Sequence, residues 1–167
     1  MLNLSEPPTL VESLEEDYKI YKERLEDLSV YYFLKEKFSE SFITIVDGFP
    51  EEKLTLPTIA VEAGKIDVEE FELGNRDGLR IRKWYIDIYA KNKSQRDEFG
   101  YRLLDVLKDG ISVYNYDEGF PPSVTPTNIG HLQILAKSYD PIKISADVVE
   151  KLYYRATIEI VAQNDKV

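Results

Sequence analysis

Side chains able to do chemistry are sparse in this sequence. It has one histidine and no cysteine, which removes thiolate chemistry and any disulfide framework. A transition-metal site would need partners for His131, and neither a second histidine nor a cysteine exists to supply them. The carboxylates gather as Glu15-Glu16-Asp17 and Glu69-Glu70, spacings that suit a solvated charged face. They leave one enzymatic alternative open, a small carboxylate-dependent hydrolase, although no Ca²⁺-loop pattern occurs. Gly74-Asn75-Arg76-Asp77-Gly78 has too few glycines to cradle a phosphate, and no nucleophile elbow, P-loop or dinucleotide fingerprint is present. The expectation is a protein that is not an enzyme, with no catalytic, cofactor-binding or metal-ligating residues.

Charge is the more informative chemistry. Asp and Glu number 31 against 21 Lys and Arg, a formal net charge of −10. Tight nucleic-acid binding depends on cations neutralising phosphates, so such a surface should let DNA pass rather than hold it. Within this acidic chain Arg76, Arg80, Arg82 and Lys83 cluster beside Glu69, Glu70 and Glu72. One reading is cross-strand pairing inside a single hairpin, at roughly 0.2–1 kcal/mol per pair. The other is a subunit interface, in which the basic arm of one protomer meets an acidic surface on the next. Contacts of that heterologous kind close into rings when the rotation permits. On this reading, reversing Arg80 and Arg82 to Glu should spare the fold and weaken the ring.

The elements that must position these residues follow from periodicity. Thr9-Leu10-Val11-Glu12 has the form of a capping box. Apolar residues then recur in steps of three and four through Leu10, Leu14, Tyr18 or Tyr21, Leu25, Leu28 and Tyr32, predicting a long N-terminal helix to Phe38, or two helices with a bend at 27–29 where Ser29 caps the second. Strands are predicted at 42–46 and 57–62, followed by a polar run that extends outward as one arm of a hairpin turning at Gly74 to Gly78. Over 79–90, Trp84, Ile86, Ile88 and Ala90 alternate strictly with Lys83, Tyr85, Asp87 and Tyr89, the pattern of a strand buried on one side. Ser94 is a candidate N-cap for a second helix whose stripe of Phe99, Leu103, Val106 and Leu107 ends at Gly110. Trp84, Ile86 and Ile88 should pack on that stripe. Further strands are predicted at 111–116, 132–139 and 151–162, with a loop containing three prolines over 117–128. The fold class is α+β: an antiparallel or mixed sheet of about four to six strands, helices on one face, a long N-terminal helix and an extended hairpin arm.

No apolar run approaches the roughly 20 residues of a membrane-spanning helix, and the first residues lack the form of a signal peptide. The expectation is cytoplasmic synthesis and no membrane partner.

The element order resembles that of the tail terminator, or tail completion and neck, proteins of long-tailed bacteriophages. Leu56-Pro57-Thr58-Ile59-Ala60-Val61-Glu62, Phe71-Glu72-Leu73-Gly74, Gly119-Phe120-Pro121-Pro122 and Glu150-Lys151-Leu152-Tyr153-Tyr154-Arg155-Ala156 are similar to phrases of that family. The likeness covers residues 28–163 of a single domain, with 1–27 a helical extension. It implies a structural virion protein: a homo-oligomeric ring, a hexamer, that caps the tail tube, stops its polymerisation and joins it to the head connector, with DNA passing through the lumen. Asp and Glu should then outnumber Lys and Arg on the inner wall, unless the acidic excess serves only solubility. Another head–tail connector subunit is the alternative within the same class.

Overall fold

The computed structural model describes residues 21–48, 54–69, 79–142 and 154–165 of the 167-residue chain. Helix α1 spans Lys22–Lys37, with Glu23 in its first turn and Lys35 and Lys37 in its last, each sign on the end of the helix dipole that favours it. No bend interrupts it at 27–29. The Ser29 hydroxyl, expected to cap a second helix, donates instead to the Leu25 carbonyl one turn back at 2.7 Å. The same oxygen accepts the Tyr114 amide at 3.1 Å, so the residue serves helix packing and the helix runs through it. The Thr9–Glu12 capping box and the earlier part of the predicted helix lie outside the described residues.

Among the described residues seven strands form one mixed sheet, against about four to six expected: β1 (Thr44–Asp47), β2 (Thr58–Ala63), β3 (Asp67–Glu69), β4 (Leu79–Ala90), β5 (Ile111–Asn115), β6 (Thr127–Pro141) and β7 (Tyr154–Asp165). Their order is β1-β2-β4-β7-β6-β5, with β3 also on β4. Only β1 and β2 pair in parallel; the other ladders are antiparallel. The extra strand comes from the predicted arm. Ala63 faces Trp84 whereas Asp67 faces Ile81, so one additional residue on the β2–β3 side forms a bulge, and β3 continues the hairpin past it. Strand β6 starts inside the predicted proline-containing loop and is almost twice the expected length.

Helix α2 spans Lys93–Val106 and is capped by Asn92, not Ser94. The Asn92 side-chain Oδ1 accepts the Gln95 backbone amide at 2.8 Å, and the Gln95 side-chain Oε1 accepts the Lys91 amide at 2.9 Å, a reciprocal arrangement close to a capping box. A short 3-10 turn, Leu107–Asp109, ends at Gly110 with φ 76°. A side chain there would also meet the Leu132 carbonyl at 2.4 Å, so glycine is required twice over.

Both helices cover one face of the sheet. Helix α1 touches β1 and β2 at one edge and β5 at the other, while α2 lies on β4, β7 and β6. The sheet is therefore curled around α1. The core joins Val30 and Leu34 of α1, Trp84, Ile86 and Ile88 of β4, Phe99, Leu103 and Leu107 of the α2 region, and Ile158 and Ile160 of β7. The alternation on β4 and the α2 stripe thus meet in one cluster. Leu103 is fully buried, so Leu103→Ala is expected to destabilise the fold by about 2–5 kcal/mol in urea unfolding.

Candidate subunit interface

The basic cluster divides by strand alternation. Arg80 and Arg82 share the face of Trp84 and Ile86, which α1 covers, whereas Lys83 lies on the outer face. Arg82 is 1% exposed. Its Nη1 donates to Glu26 Oε1 at 2.6 Å and to the Glu23 carbonyl at 3.1 Å, and its Nη2 donates to Asp27 Oδ1 at 2.7 Å. The guanidinium also lies over the Trp84 ring, 4.5 Å from its centroid, and the indole N–H donates to the same Asp27 oxygen at 2.9 Å. The remaining Glu26 oxygen accepts from Asn164 Nδ2 at 2.8 Å. This is a buried ion pair with most lone pairs and protons satisfied, the condition under which burying charge is tolerated.

Arg80 pairs with Glu23 of α1. Lys83 reaches Glu159 on β7 at 3.1 Å, and that carboxylate holds the ammonium pKa above its usual value. The acidic partners of all three cations therefore come from α1 and β7, and not from the hairpin. Glu69 is exposed on β3 and faces Leu79 in the ladder. Glu70, Glu72 and Arg76 lie outside the described residues.

Arg82 must accordingly be withdrawn as an interface residue, since its guanidinium is enclosed by its own protomer. The expectation that charge reversal at Arg80 and Arg82 spares the fold is corrected with it. The signal lay two residues from Trp84, where alternation puts Arg82 on the buried face. Glu26 lies four and seven residues before Val30 and Phe33, a spacing that puts it on the packed face of α1.

Three further contacts tie the helices down. Arg102 of α2 grips Glu40 through two bonds of 2.7 and 2.8 Å and also bonds the Lys37 carbonyl. Lys137 Nζ of β6 donates to the Leu104 carbonyl at 2.7 Å. The Tyr139 hydroxyl donates to Asp97 at 2.6 Å, and its ring lies where any side chain at Gly100 would stand, 2.2 Å from that Cβ position. The hydrogen bond from Tyr139, helped by Arg96 at 3.0 Å, holds the Asp97 carboxyl below its ordinary value against the opposing effect of burial.

The loop of residues 117–126 is seated by Phe120 on Tyr31, Tyr32 and Tyr116, with ring centroids 5.0–6.1 Å apart. Burial pushes the Tyr116 hydroxyl up to about 12. A cleft of about 390 Å³ opens between this loop and α1, lined by Tyr32, Glu36, Tyr114 and Pro122 among others. Among the described residues no group of three or more His, Cys, Asp or Glu could hold a metal ion, and no helix is long and apolar enough to cross a membrane. His131 stands in β6 facing Ser112 and Asp165.

No family model matches the chain, and no curated protein matches it. Among solved structures it is similar to a chain of the virion of a native gene transfer agent particle, with a TM-score of 0.43 and 12% identity over 85% of this chain and 90% of that one.

Two outcomes follow from the site. Arg82→Glu should unfold the protein or cost at least about 3–5 kcal/mol, because it leaves Glu26 and Asp27 buried against a like charge. Arg80→Glu, at a half-exposed pair, should cost under about 1 kcal/mol; paired denaturant titrations separate them. Because the Asp97 carboxyl titrates below its unfolded range, its contribution is complete above that range and is lost as pH falls through the folded value. Asp97→Asn should therefore flatten the acid limb of a melting-temperature profile recorded below about pH 4.

Proposed function

We propose that this chain is a structural subunit of a virion or virion-like particle, a tail terminator whose ring caps the tail tube, stops its polymerisation and joins the tail to the head connector. The observation that carries the reading is the root of the arm. Strand β3 pairs only with β4 among the described residues, and it presents Val68 at 51% exposure, next to Ile66 at 40%. Apolar side chains held out on a two-stranded extension suit contact with another subunit better than contact with water. The element order agrees with the family resembled: helix, strand pair, long strand, helix, closing strands. Glu69, Glu70, Glu72, Arg76, Arg80 and Lys83 are the arm's proposed polar contacts, with Arg82 supporting it from inside the protomer.

In this reading the protein is not an enzyme and binds no cofactor. It acts at the tail–neck junction, with tail-tube and connector proteins as partners and DNA sliding through a lumen richer in carboxylates than in cations. The residues of that wall are not assigned. The outer sheet face contributes balanced pairs, Lys83 with Glu159 and Arg155 with Asp87 at 3.4 Å, so any acidic excess on the wall must come from elsewhere.

The purified chain, added to polymerising tail-tube protein, should stop growth and shorten the tubes seen by electron microscopy. Light scattering should give a closed oligomer, with six copies expected. A ring that leaves tube length unchanged would point to a connector subunit, and a stable monomer without effect on tubes would refute the assembly role.

A further inference from the structure

Strand β5 covers β6 only as far as Leu132. After a bulge at Leu135 the opposite side of β6 pairs with β7 from Ala136 to Pro141, and among the described residues no strand occupies its outer side. Leu135 is 48% exposed, and Ala136, Ser138 and Asp140 are exposed. Bare edges of this length are ordinarily guarded by charge. Here the exposed charges in the run are Asp140 and Lys137, and the lysine is engaged by the Leu104 carbonyl of α2. At the other side of the sheet β3 carries a second edge that is bare among the described residues.

We infer that β6 from Ala136 to Asp140 is the docking edge for strand β3 of a second copy of this chain. Strand directions permit it. Antiparallel pairing of β3 with β4, β4 with β7 and β7 with β6 leaves β3 and β6 running in opposite directions. Copies placed side by side in the same orientation therefore meet as an antiparallel ladder, the pairing used by nearly all of this sheet.

Face continuity then restricts the register to every second setting, and charge matching picks one of them. Lys137 and Tyr139 lie on the helix face of β6, where they bond α2. Val68 lies on the helix face of β3, opposite Arg80, whose side chain bonds α1. Matching these faces sets Val68 against Lys137 and, with the ladder extended past the N-terminal end of β3, Ile66 against Tyr139, whose ring meets the exposed Tyr101 edge-on at 5.6 Å. The other face then sets Asp67 against Ser138 and Lys65, which pairs with Asp67 of its own chain at 3.2 Å, against Asp140, a hydrogen-bonding pair and an opposite-charge pair. The alternative of shifting by one residue would turn Val68 to the outer face.

The levels of the two strands differ. Ser138 pairs with Glu159 and Glu159 with Tyr85, whereas Asp67 pairs with Ile81. Neighbouring copies are therefore staggered by about four residues, roughly 13 Å along the strands, a shear of the kind that closed sheets require.

This inference rests on the ring reading, and its test is separable from it. The chain has no native cysteine, so engineered thiols report alone. An equimolar mixture of full-length Asp67→Cys and Ser138→Cys proteins should yield a disulfide-linked dimer on oxidation, and the double variant should yield a covalent ladder. Lys65→Asp and Asp140→Lys should each weaken assembly by roughly two- to five-fold per contact, and together restore it. Absence of the cross-link in protein that light scattering shows to be assembled would overturn the edge pairing and leave the ring intact. Equal self-linking by either single variant, or failure of the charge swap to restore assembly, would also overturn it. A monomer at every concentration would overturn both readings.

Discussion

A guanidinium removed from water must be met by charge and hydrogen bonds on nearly every side, and this requirement at Arg82 governs how the molecule is put together. Isolated ions lose several kcal/mol on leaving water, so the arrangement of Glu26, Asp27 and the Glu23 carbonyl around Arg82 tolerates little displacement. The contact joins α1 to the central strand β4, and Asn164 extends it to β7. Apolar packing alone is permissive about rotation and sliding. The ion cluster specifies one setting of α1 against the sheet, in which Trp84 can use its ring for the core and its N–H for Asp27. In that setting α1 reaches strands at both sheet edges, and the sheet can curl around it.

Helix α2 is held differently, by contacts at its ends and flank. Arg102 stacks on Phe38 at 4.5 Å while gripping Glu40 beyond the end of α1, and Lys137 and Tyr139 fasten the helix to β6. The two helices thus share the face but divide the strands between them. This arrangement leaves the outer face polar and self-paired, through Lys83 with Glu159 and through Asp87 with both Arg155 and Thr157.

Much of this was legible in the residues. Alternation on β4 placed Trp84, Ile86, Ile88 and Ala90 inside, and the stripe of α2 identified its partners. Gly110 marked a real stop. What escaped was whatever depended on partners distant in sequence. Ser29 looked like a cap because hydroxyls favour helix starts, yet Tyr114, 85 residues on, gives its oxygen a role within the helix. Asn92, two residues before Ser94, is the cap because its Oδ1 accepts the Gln95 amide while Gln95 Oε1 accepts the Lys91 amide. The four cations of the arm looked like one patch because they are close in sequence, although a period of two puts Lys83 on the opposite side from its neighbours. Loop boundaries around β6 were missed because Pro121, Pro122 and Pro126 masked the start of a strand only one residue later.

The topology also sets an order of events for the chain. Strand β7, the last one described, occupies the interior of the sheet between β4 and β6, and the partner that satisfies Glu26 lies 138 residues further on. Until β7 arrives, β1-β2-β4 and β5-β6 share no ladder and are joined through the helices packed on them. Pairings of such sequence separation form slowly. The sheet is therefore completed only when β7 takes its interior place, and the curled body and its outer edges come into being together.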